Sequence, residues 1–177
     1  MSYAPAWNAT FSKPLLNQMI AVIQRDQAAA IAEVNPALAP IAEFHKGPAL
    51  QTSFPWLTLT ADRIEFIPVF PLTRASRTAL TLTLDVGQFD REIALDEAED
   101  YARVLDMIIT SASGGDWETA LPISQETASA GITAPPQAGS VKQVFVESHR
   151  YALASQAGLS APIVRVALSV LFELQET

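Results

Sequence analysis

Two histidines, His45 and His149, are the only imidazoles in the sequence, and neither has a second ligand or base at helical or hairpin spacing. A metal site or catalytic pair needs such a partner. His45, followed by Lys46 and Gly47, reads as a turn residue. The acidic run Asp96, Glu97, Glu99 and Asp100 supplies hard oxygens of the kind a divalent cation takes, but carboxylates also gather at the positive end of a helix, and this spacing suits a helix start. Serine hydrolysis requires a nucleophile on a tight elbow, yet there is no G-x-S-x-G and no glycine-flanked serine near either histidine. Neither G-x-x-x-x-G-K nor G-x-G-x-x-G is present to cradle phosphate, and Gly114-Gly115 alone is a weak signal. The absence of cysteine excludes disulfide frameworks, thiolate zinc sites, iron–sulfur clusters and thiol nucleophiles. The expectation is a chain without catalytic residues, metal or cofactor.

Residues suited to contact are easier to find. The segment IPVFPLTRASR, Ile67 to Arg77, holds two prolines and two arginines and reads as an exposed connection. Phe70 lies within it, and an exposed aromatic beside arginines is a usual composition for a protein contact. Pro68, Phe70, Pro71, Arg74 and Arg77 are therefore the candidate interface residues. The aromatics Trp56, Phe66, Phe145, Tyr151 and Phe172 fall on expected strands, where they should pack the core.

The elements that position these residues follow from composition and periodicity. Hydrophobic residues make up 49% of the 177 and charged residues 17%, with a mean hydropathy of +0.20, enough apolar material for one domain over residues 1–177. Eleven basic against nineteen acidic residues give a net charge of −8, which repels nucleic-acid phosphates. No run approaches the ~20 apolar residues of a membrane span, and the first residues lack the features of a signal peptide. A protein that is soluble in the cytoplasm when made, with no membrane partner, is expected.

Leu15, Leu16, Met19, Ile20, Ile23, Ala30, Ile31 and Val34 recur at helical spacing, predicting a helix over Ser12–Val34 with Ser12 as cap and Asn35-Pro36 as stop. Ile41–Gly47 suits a short edge strand. Trp56–Phe66 alternates, with Leu57, Leu59 and Ala61 on one face. In ALTLTLDVGQFDRE, Leu80, Leu82, Leu84 and Val86 point inward and Thr81, Thr83 and Asp85 outward, so the two strands and their connector form a long hairpin. A second helix should start near Asp96, with Asp96 and Glu99 as a capping box and Tyr101, Val104, Leu105, Ile108 and Ile109 as its core face. Ser111–Ser140 reads as a long loop insertion. Val141–Tyr151 and Ile163–Gln175 complete the chain as strands. The fold class is α+β: a mostly antiparallel β-sheet with two α-helices packed on one face, in the order α-β-β-β-α-β-β.

This succession resembles the bacteriophage tail terminator family, the minor tail protein U type, with the related tail-completion and neck proteins. The likeness rests on the amphipathic opening PLLNQMIAVIQRDQAAAIAEV, the phenylalanine-proline leading into a strand in SFPWLTLTADRIEF, and the alternating ALTLTLDV. It continues through the helix DEAEDYARVLDMII and the closing run RVALSVLFELQE, covering roughly Pro14 to Glu176. The long Ser111–Ser140 insertion and the proline-rich Pro36–Pro55 stretch depart from the smaller members.

The resemblance implies a virion protein of the tail or neck, held in the host cytoplasm before assembly. Family members form rings, typically hexamers, that end tail-tube growth and give the head connector a joining surface. Its partners would be copies of itself, the tail tube protein and the head connector or neck protein, with DNA passing through the ring without specific binding. Identical subunits in a ring need a heterologous interface. The Ile67–Arg77 connector and the Ser111–Ser140 loop are the expected contributors. Two other readings stay open at this level: a bacterial protein-binding adaptor domain, and a small-ligand binder or enzyme using His149, Arg150 and the acids.

Overall fold

Apolar residues at three-and-four spacing do wind into a helix, α1, over Ser12–Val34 in a computed structural model of the chain, which describes residues 12–47, 53–68, 74–88, 90–112, 139–154 and 162–176. Ser12 is the first helical residue and not the cap before it. Leu15, Met19, Val22 and Ile23 are at most 1% exposed. The helix stops where expected, because the Asn35 side chain accepts a hydrogen bond from the Ala37 amide at 3.0 Å and turns the chain at Pro36.

Five strands form one sheet in the order β1-β2-β3-β5-β4. They are β1 (Glu43–Lys46), β2 (Trp56–Pro68), β3 (Arg74–Gly87), β4 (Gly139–Ala154) and β5 (Ile163–Glu176). A helix α2 (Arg91–Ser111) joins β3 to β4. The class and element order are those expected, with one parallel pair, β1 on β2, beside antiparallel neighbours. His45 lies in β1 and is not a turn residue.

The hairpin of β2 and β3 is longer than its alternation suggests. Its register runs from Trp56 opposite Asp85 to Pro68 opposite Arg74, so much of the expected Ile67–Arg77 connector is strand. The reason is burial. Around a bulge between Ala61 and Arg63, residues Ala61, Asp62, Arg63 and Glu65 are all exposed, and the shift in register interrupts the apolar alternation. Ala61 keeps its inward register opposite Leu80 but is exposed. Pro68, at the last pair, occupies a strand end, where a residue lacking an amide hydrogen is tolerated.

Helix α2 begins five residues before the expected Asp96. Its cap is Asp90, whose carboxylate accepts from the amides of Glu92 at 2.7 Å and Ile93 at 3.4 Å. Asp96 sits inside the helix. The first turn hides its period because Ile93 and Leu95 face outward at 52% and 42% exposure, leaving only the small Ala94 to mark the core side.

Both helices lie on one sheet face. There Leu57, Leu59, Leu80, Leu82 and Leu84 meet Leu15, Met19, Ile23, Val104 and Leu105, with Val166, Leu168, Val170 and Phe172 of β5 in the centre. These strand side chains are all fully buried. Fully burying one such side chain contributes about 1.5–3 kcal/mol, so this aliphatic layer is the main source of stability. Gly87 is required at the end of β3 because the Phe54 ring lies against it, and a Cβ would meet ring atoms at 2.8–3.0 Å.

The inward row of β3 contains one polar misfit. Thr78 is 0% exposed, and its hydroxyl has no hydrogen-bond partner among the described residues. Thr78→Val keeps the shape and removes the buried hydroxyl, and should raise unfolding free energy by about 1 kcal/mol in urea denaturation. A loss of stability would mean the hydroxyl is satisfied.

Candidate assembly surface

Of the expected interface residues, Pro68, Arg74 and Arg77 lie toward the far end of the β2–β3 hairpin. Pro68 and Arg74 face each other across its last pair. Phe70 and Pro71 lie outside the described residues. Arg77 stands on β3, and its Nε donates to Glu173 of β5 at 2.9 Å, so its guanidinium already has a partner within the chain. That pair is open to solvent on both sides and adds little stability. The Ser111–Ser140 insertion begins as the last residue of α2 and ends in β4, and residues 113–138 lie outside the described residues.

A second exposed surface was not anticipated. Phe145, Tyr151 and Leu153 of β4 are 37%, 43% and 57% exposed, so the core role expected for Phe145 and Tyr151 is wrong. Tyr151, Leu153 and Leu95 border one shallow apolar groove together with Arg91 and Val164. Tyr151 and Leu153 stand on the helix side because of a bulge at Glu147: Val146 pairs with Val170 and Ser148 with Ser169, leaving Glu147 as the extra residue. Inward-facing positions are even before the bulge (Val144, Val146) and odd after it (His149, Tyr151, Leu153), as their β5 partners show. The same slip is visible in VKQVFVESHRYALA as a change of apolar phase. Among the described residues β4 is a sheet edge with no strand beyond it.

His149 and Arg150 project to opposite sheet faces and do not converge on one ligand. His45 stacks on Trp56, with centroids 4.0 Å apart and planes 11° from parallel, and its Nε2 is 3.5 Å from Glu43. This places Trp56 on the sheet face away from the helices, opposite Asp85. Asp85 is expected to point outward. It is outward but only 4% exposed, because Arg165 lies over it with two 2.7 Å hydrogen bonds, and that carboxylate raises the guanidinium's pKa.

The acidic residues of α2 are also engaged. Glu97 accepts two hydrogen bonds from the Gln88 amide at 2.9 and 2.8 Å, and Asp100 accepts one from Asn35 at 2.8 Å. Among the described residues no group of three or more His, Asp or Glu side chains is placed to hold a metal ion. No helix among them is long and apolar enough to cross a membrane. No protein-family model matches the sequence, and no curated protein matches it.

Tyr101 ties α2 to the segment before β1, donating its hydroxyl to the Ala39 carbonyl at 2.6 Å. Burial, assisted by the nearby Glu97 charge, pushes its phenol from 10.0 up to about 12. A phenol that holds its proton more tightly folded than unfolded contributes fully below pH 10, and that contribution fades as pH rises toward 12. Tyr101→Phe should therefore cost about 1 kcal/mol at neutral pH and show a shallower stability loss above pH 10 than the parent. Denaturant titrations at several alkaline pH values check both.

Proposed function

We propose that this protein is a structural ring component of a phage-like particle, closing the head-proximal end of a tail tube and presenting a joining surface to the head connector. The observation that carries the reading is the far half of β2, where Asp62, Arg63 and Glu65 are exposed, on an α-β-β-β-α-β-β domain. Exposed charged side chains toward a strand end are the kind of surface a subunit offers to a neighbour. The net charge of −8 supports the same reading, since a ring around DNA should not hold phosphates. In this role the protein acts by shape and contact: copies close head to tail, the tube gains no further subunits, and no covalent bond changes.

Added to the polymerising tube protein of its own particle, it should shorten the tubes and appear in negative-stain images as an annulus at one end. Arg74→Glu combined with Arg77→Glu should leave the circular dichroism spectrum unchanged and weaken this capping. Tubes of unchanged length with no bound protein would overturn the proposal.

A further inference from the structure

Among the described residues the edge of β4 is unpaired and self-complementary, and we infer that two copies of this protein pair through it, antiparallel, about a two-fold axis at His149. The register follows from the bulge. Treating Glu147 as the extra residue, His149 faces His149 of the second copy, and Arg150 faces Ser148. Tyr151 then faces Val146, and Leu153 faces Val144. Every facing pair lies on the same side of the sheet, which an antiparallel ladder requires.

The chemistry of these pairs agrees with the geometry. On the helix side, the half-buried Val144 and Val146 meet the exposed Leu153 and Tyr151, so the groove bordered by Leu95 receives apolar side chains from the second copy. On the other side, exposed Phe145 meets Ala152. Glu147 and Arg150, both exposed, come together twice, once on each side of the axis, as opposite charges. An axis perpendicular to the sheet keeps the helices of both copies on one face, so the ladder and the aliphatic layer both continue across the junction. Unpaired backbone along an edge strand this long is otherwise an invitation to uncontrolled pairing. The contact uses a different surface from the hairpin and does not rest on the ring reading.

The chain has no cysteine, so one introduced thiol reports on one position. Facing residues of antiparallel strands have Cα atoms about 4.5–5.5 Å apart, within disulfide reach. Under mild oxidation His149→Cys should crosslink to twice the 19.1 kDa protomer mass, whereas Leu153→Cys, whose mate is Val144, should not. In sedimentation equilibrium, Glu147→Arg and Arg150→Glu should each weaken the dimer by about tenfold, and the double exchange should restore it. The inference fails if the unmodified protein is monomeric up to millimolar concentration, or if positions 149 and 153 crosslink equally. It also fails if the protein forms larger rings in which His149→Cys does not crosslink, or if the double exchange does not rescue.

Discussion

Burial of one face of the sheet beneath two helices governs the rest of the structure. Strands β2, β3 and β5 each present an inward row of mainly aliphatic side chains, and α1 and α2 exist as helices because that layer accepts their apolar stripes. Removing a leucine from the middle of these rows would cost about 2–5 kcal/mol, more than any polar contact on the outer face contributes. The arrangement has a geometric corollary. Two helices cover only part of a sheet whose central strands run to fourteen residues, so strand ends and edges remain for other uses.

The uncovered face is held differently. Thr58 and Thr60 of β2 face Thr83 and Thr81 of β3, giving a half-buried polar surface of short side chains. Trp56 and Asp85 end that surface, each shielded by a neighbour: His45 stacks on the indole, and Arg165 covers the carboxylate. Arg165 remains about half exposed at its own side chain, so the ion pair is desolvated mainly on the Asp85 side. Such a face resists unfolding without recruiting a further layer, consistent with contacts being made from edges and strand ends.

Much of this was legible in the sequence where a single period persisted. Helix α1 matches its predicted span because its apolar positions keep phase and Asn35-Pro36 ends it by a local hydrogen bond. Strands β3 and β5 were equally clear, since they are central and their alternation is unbroken. The failures share one cause, a local event that interrupts or hides a period. Asp90 caps α2 from within a stretch whose alternation continued the strand, while Ile93 and Leu95 turned outward. The bulges at Ala61–Arg63 and at Glu147 shifted which residues faced the core; Tyr151 reaches the helix side yet stays exposed on the edge strand, and Phe145 lies on the opposite face. At the candidate surface, sequence located the hairpin end but not the partner Arg77 finds in Glu173, because a contact across strands 96 residues apart leaves no local trace.

The position of β5 has a consequence for how the molecule is made. It comes last of the described elements, yet it lies between β3 and β4, pairing Gly87 with Ile163 and Ala75 with Gln175. A nascent polypeptide emerging from the ribosome can form the hairpin and both helices early, but their greasy undersides stay open until the final strand threads into the gap. Until β5 has been made the sheet is therefore incomplete, and β4, whose strand partner among the described residues is β5, has nothing to pair with.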